Sequence, residues 1–163
     1  MNAGRKLLAA LSAAALLLPG AARAQAARYY SPNGYFLTQG PAEGFSDALG
    51  QELIAEVNAD RLRYGLGTLR EDAALSRAAQ TRAKEIARHF SHTRPDGTSW
   101  SSVYSGAYAE NIARGYATAY KCQAALMSSA GHRANVLRAH YTKIGTCAYT
   151  VNGVTYWVQL FGR

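Results

Sequence analysis

Four histidines occur in this chain, at positions 89, 92, 132 and 140, and two of them stand where an imidazole could do chemistry. His92, in Phe90-Ser91-His92-Thr93, directly follows an apolar-periodic run, which predicts a ring on a loop. His132, in Ser129-Ala130-Gly131-His132-Arg133, opens a helix beside a residue with no side chain, so its ring is approachable. Glu110 lies in Ala109-Glu110-Asn111-Ile112, a carboxylate among apolar neighbours on an expected strand, which is costly unless a partner compensates it. Two neutral imidazoles and one carboxylate suffice as a shell for Zn²⁺ or another divalent cation, with one position left for water. The same three groups could instead hold the loops of a cleft together by hydrogen bonds.

Turnover asks for more than a metal shell. Hydrolysis needs a base for the attacking water, and the chain has no His-Glu-x-x-His. Ser91, Ser128 and Ser129 are nucleophiles in name only, because none sits in the Gly-x-Ser-x-Gly turn that presents an activated hydroxyl. His89 and His140 are expected on the surface. Arg133 and Asn135, close after His132, could line the same rim or solvate a helix.

Elements that could position these groups follow from the apolar spacing. Ser46 can cap a helix whose stripe is Leu49, Leu53 and Val57, widened by Ile54 and Leu62 and ended by Gly65. A second helix is expected after Glu71-Asp72, with Leu75, Ala79, Ala83, Ile86 and Phe90 inward and Arg77, Arg82, Lys84 and Glu85 largely off that line. Ser91 to Gly97 carries the turn chemistry of Pro95-Asp96-Gly97, followed by a short strand over 108–113. Helices are expected at 118–129 and 132–139, with Gly131 between them. The carboxyl end changes period: 143–150 and 154–161 read as strands joined by a tight Asn152-Gly153 turn. Tyr108, Tyr116, Tyr120, Tyr141, Tyr149, Tyr156 and Trp157 are assigned mainly to the core. Helices first and strands last define an α+β domain.

Residues 1–24 have the form of a cleavable secretory signal: Arg5 and Lys6, an apolar run from Leu7 to Leu18, then Ala22-Arg23-Ala24 before Gln25. That run is about 12 residues, short of the roughly 20 that span a bilayer, so no transmembrane segment is expected after cleavage. A secreted or periplasmic protein is expected, with an extended leader at 25–45 and one folded domain at 46–163. Cleavage would lower the net charge from +8 to +5, favouring anionic partners. Arg and Lys are scattered without the run expected for nucleic acid, so none is expected as a partner. Cys122 and Cys147, an even pair in an exported chain, are expected to form a disulfide. Closing a loop with 24 residues between them would stabilise the fold by about 3–4 kcal/mol.

The succession Phe90-Ser91-His92, Ala109-Glu110-Asn111-Ile112-Ala113, Gly131-His132-Arg133-Ala134-Asn135-Val136-Leu137, Lys143-Ile144-Gly145 and Tyr156-Trp157-Val158-Gln159 with Phe161-Gly162 resembles the CAP superfamily. That superfamily takes in cysteine-rich secretory, antigen 5 and pathogenesis-related 1 proteins, and its short exported bacterial members look most similar. The resemblance covers roughly residues 50–163. It implies an α-β-α sandwich whose cleft is lined by two histidines and two acidic residues, falling here on His92, His132 and, for the first acid, Glu110. The positions matching the family's tryptophan and second glutamate hold Leu126 and Ser129, and Ala109 stands where glycine is commoner. The resemblance implies a binding module for a lipid, sterol or anionic glycan, with Zn²⁺ or another divalent cation at His92 and His132, and leans away from an enzyme. A metal-dependent hydrolase, acting as a protease or a cell-wall enzyme, is the second expectation. A structural envelope protein is the third.

Overall fold

The computed structural model describes residues 42–163 and, before them, two short strands, β1 (Tyr29–Tyr30) and β2 (Phe36–Leu37), paired with each other. The expected signal at 1–24 lies outside these residues. A hairpin forms the centre of the main sheet: β6 (Lys143–Val151) and β7 (Val154–Gly162) pair antiparallel along their whole length. Its turn is Asn152-Gly153, at φ 51° and 69°. The two-residue turn that matches strand twist needs positive φ at both positions, which this dipeptide tolerates. The Glu43 carboxylate accepts from both turn amides, at 3.2 and 3.0 Å.

On the far side of β7 lies β5 (Ala109–Arg114), the edge strand. The other edge of β6 carries two short pieces: β3 (Gly44–Phe45) against Tyr149–Thr150, and the parallel β4 (Arg70–Glu71) against Lys143–Ile144. β3, which falls at the end of the expected leader at 25–45, pairs into the sheet just ahead of Ser46.

Side chains alternate across this sheet, and helices cover both faces. Helix α2 (Ala73–Arg88) packs Leu75, Ala79, Ala83 and Ile86 onto Ile112, Cys147, Val158 and Leu160. Opposite lie α1 (Asp47–Arg63), α3 (Ala119–Ser128) and α4 (Ala130–Val136), over Ala113, Ala148 and Trp157 at one end and Ala109, Ile144 and Phe161 at the other. The architecture is the expected α-β-α sandwich. Each fully buried large apolar side chain contributes about 1.5–3 kcal/mol.

Capping residues start three of the helices where the sequence placed them. Ser46 Oγ accepts from Leu49 N (3.3 Å), Asp72 from Ala74 and Leu75 N (2.9 and 3.0 Å), and Thr118 from Lys121 N (3.2 Å), each contributing about 1 kcal/mol. Helix α4 departs from expectation. It begins at Ala130 and ends at Val136, so Gly131 lies inside it and Ser129 alone separates it from α3. Two aromatic residues assigned to the core are exposed: Tyr108 (48%) and Tyr120 (66%).

The expected disulfide does not form. Cys122 and Cys147 are both free and buried. Cys147 points to the α2 face, whereas Cys122 sits on α3 against Ala148 and Trp157 on the opposite face, and a disulfide requires Cα atoms about 4.4–6.8 Å apart. Burial pushes both thiols up to about 12, so neither is a reactive thiolate. Reductant is expected to leave the melting temperature unchanged, and a thiol reagent to label neither residue before unfolding. A fall of several degrees on reduction would reinstate the bond.

Candidate functional site

The site is built where the end of α2 meets the edge strand. Along α2 the positions i, i+4, i+7 and i+11 from Leu75 are Ala79, Arg82 and Ile86, so Arg82 faces the sheet and is 0% exposed. Glu110 and Ile112 alternate onto that same face of β5. Arg82 Nε donates to Glu110 Oε2 at 2.7 Å and Nη2 to Oε1 at 3.3 Å, with both side chains buried. The guanidinium also donates to Glu85 Oε2 (2.5 Å) and to the Ser91 carbonyl (2.8 Å), which fixes the loop after the helix. Burial lowers Arg82's proton affinity, but its hydrogen bonds to Glu110 and Glu85 outweigh this and hold the guanidinium above its ordinary value.

That loop delivers His92. Its Nδ1 lies 2.8 Å from Glu110 Oε1, and its side chain is 53% exposed. A carboxylate held by an arginine accepts the Nδ1 proton, so Nε2 is the nitrogen left for a ligand or a proton. His132 comes from α4 on the other side of the edge strand. Its carbonyl accepts from Asn111 Nδ2 at 3.1 Å. Burial first, and then the charge of nearby His92, hold its imidazole below the ordinary histidine value, so it is neutral near pH 7.

Asn111 belongs to a buried amide chain that crosses the α1-side layer. Asn135 donates to Asn111 Oδ1 (2.9 Å), Asn111 to Gln159 (3.0 Å), Gln159 to Gln123 (2.8 Å) and Gln123 to Asp60 (2.9 Å). These links tie α4, and with it His132, to the strands and to α1. Nothing in the sequence pointed to this amide chain, and Arg82 was expected off the apolar line of α2 rather than in the site. The signal for Arg82 was its place on the α2 stripe.

Both oxygens of Glu110 are taken by Arg82 and His92, and its side chain is fully buried, so it orients the His92 ring. Ser129, at the position matching a second glutamate, begins α4 without a side-chain cap. Among the described residues no three His, Cys, Asp or Glu side chains are grouped to hold a metal. The donors the cleft itself presents are the two imidazoles.

A second carboxylate steadies the loop. Glu85 accepts from Arg94 Nη2 at 2.7 Å as well as from Arg82. Burial raises its pKa, but the bonds from Arg94 and Arg82 prevail and hold it below the ordinary 4.5. The unfolded chain therefore binds the proton at higher pH, so this stabilisation is present above the ordinary value and lost as pH falls through the native one. Glu85→Gln is expected to lower stability near neutrality and flatten the acid limb of a urea-unfolding profile. A parallel profile would contradict this.

Away from the histidines, a cavity of about 300 Å³ opens between β3 and β4, bordered by Asp47, Gln51, Glu71, Ser76, Gln80 and Thr146 among others. It shares no residue with the cleft.

A three-layer domain with a carboxylate-oriented imidazole beside its edge strand, and a second imidazole across that strand, defines a small histidine-cleft protein. Residues 54–161 match the cysteine-rich secretory protein family, CAP, and the chain belongs to it. It is 31% identical over 124 residues to the uncharacterized protein YkwD of Bacillus subtilis (strain 168), covering 71% of this chain and 48% of YkwD. An extracellular SCP-domain protein of Bacillus anthracis superposes with TM-score 0.64 at 23% identity, over 72% of this chain and 41% of that one. The chain thus spans under half the length of either of these two relatives. An outer surface protein of Borrelia burgdorferi gives TM-score 0.64 at 21% identity, over 75% of this chain and 98% of that one. NaASP2, crystallised with Zn²⁺, gives 0.57 at 17% identity, over 76% and 84%.

Proposed function

We propose that this is an extracytoplasmic binding domain whose cleft takes an anionic glycan at His92 and His132. The observation that carries this reading is the His92 imidazole: exposed, fixed through Nδ1 by Glu110, and presenting Nε2 outward. The acids around it, Glu85 and Glu110, are internally compensated by Arg82 and Arg94, so an anionic sugar arriving there does not meet bare carboxylates, and Nε2, with the Nδ1 proton given to Glu110, accepts from a sugar hydroxyl. Export is supported by the form of residues 1–24 and by the extracellular and outer-surface proteins that share the fold.

A second reading is reversible binding of one divalent cation by the imidazole pair. It is favoured by the neutral state of His132 and by the Zn²⁺ in NaASP2. Calorimetric titration separates the two. Galacturonate binding that survives a chelator and weakens at least about tenfold in His92→Ala supports the glycan reading. Binding that vanishes with the chelator, and Zn²⁺ binding lost in His92→Ala, support the metal instead.

A further inference from the structure

We propose that the exposed groups along the β5 edge form a surface line that holds an extended polyanionic glycan, with an arginine–aromatic station at each end and His92 between them. This rests on the reading of the histidines as an anionic-glycan site. Tyr108, Glu110, Ile112 and Arg114 alternate onto the α2 side of the edge strand, as the contact of Glu110 with Arg82 and the packing of Ile112 against α2 show; Glu110 and Ile112 are buried, so the exposed groups along this edge are Tyr108, Arg114 and His92 above Glu110. The segment after α2 runs beside them in the opposite sense. Phe90 stacks with Arg114, whose Cζ is 4.9 Å from the ring centroid, and His92 follows at Glu110. At the other end Arg163 Cζ lies 4.5 Å from the Tyr108 ring centroid. At about 3.3 Å per residue, Tyr108 to Arg114 spans roughly 20 Å, with the His92–Glu110 pair between the two stations.

Charge along this line is distributed unevenly. Glu85 and Glu110 are held by Arg82 and Arg94, whereas among the described residues neither Arg114 nor Arg163 pairs with a carboxylate. Stacking on an aromatic face restrains a guanidinium and leaves its in-plane N–H fork for an oxyanion. Phe90 and Tyr108 stay 38% and 48% exposed, so each fork has beside it an apolar ring suited to the C–H face of a sugar. One headgroup can occupy one station. A polysaccharide carrying an oxyanion on each repeat reaches both forks and the imidazole together, and its affinity gains from their linkage.

The probes are polygalacturonate, monomeric galacturonate, neutral dextran and phosphatidylserine vesicles, titrated into the purified protein and its Arg114→Gln, Arg163→Gln, double and His92→Ala variants. Arg114 is an exposed strand-end residue and Arg163 an exposed one beyond β7, and circular dichroism checks that each variant folds. The polymer is expected to bind far more tightly than the monomer. Each arginine variant should lose about tenfold on the polymer and nothing on the monomer, and the double variant about a hundredfold, because sites this far apart act additively. Unchanged polymer binding in the double variant overturns the line of stations; if His92→Ala still abolishes binding, the cleft reading survives without it. Absence of binding by both polymer and monomer overturns both. Vesicle binding that the double variant loses, with no response to the polymer, assigns the stations to a lipid surface and overturns the glycan.

Discussion

Replacing Arg82 by leucine is expected to destabilise the domain by about 3–5 kcal/mol, because it strips a fully buried carboxylate of its counter-charge. Glu110 would keep only the Nδ1 contact from His92, and Glu85 and the Ser91 carbonyl would each lose a donor. The loss should exceed that of a simple truncation. Arg82→Leu combined with Glu110→Gln should recover a substantial part of it, since the unpaired charge is then gone, and this non-additivity identifies the mechanism. Urea unfolding of the two single variants and the double one is the measurement. A single-variant loss within about 1 kcal/mol would show that the pair does not organise the site.

Gly145→Ala is expected to be comparably damaging for a different reason. A Cβ at position 145 would fall onto the Leu75 carbonyl carbon and the Ser76 amide nitrogen, main-chain atoms in the first turn of α2. Backbone cannot swing aside as a side chain can, so α2 must lift from β6. Overpacking of this kind costs about 1–3 kcal/mol where side chains can yield, and the upper end or more is expected here. Because α2 also carries Arg82, the cleft should loosen as the helix lifts. Gly131→Ala is the internal control: nothing stands within 4 Å of a Cβ there and the position is helical, so stability should hold or rise slightly. Equal behaviour of the two substitutions would contradict the close approach of α2 to β6.

Much of the scaffold was legible in the sequence because local chemistry and tertiary structure agree on it. Ser46 caps the helix it was expected to cap, the helices expected after Asp72 and from Thr118 start there with those residues as caps, and Asn152-Gly153 makes its turn. What was not legible depends on pairings between distant segments. Arg82 was read as off the apolar line, although its seven-residue offset from Leu75 places it on it; charge was weighed above spacing. Arg61 is the same case on α1. It is 1% exposed and holds the carbonyls of Gly67, Val136 and Tyr141 at 2.8, 2.7 and 3.3 Å, which no reading of one helix alone could reveal. The disulfide expectation failed because cysteine count and compartment carry no information on which sheet face each thiol occupies. His92 and Glu110 were named as candidates, and the structure brings them into contact. Their relation is the hydrogen-bonded one that the sequence allowed beside a metal shell: Glu110 positions the ring.

The measurement that most directly tests the central claim is to follow the His92 and His132 imidazole resonances by NMR while polygalacturonate is added to the purified protein. Both rings are predicted to shift and saturate together at one stoichiometry, and Arg82→Lys, which keeps a charge but loses the guanidinium fork to Glu110, is predicted to weaken the response. Binding that saturates while both imidazole resonances stay fixed would place the ligand elsewhere and contradict the account.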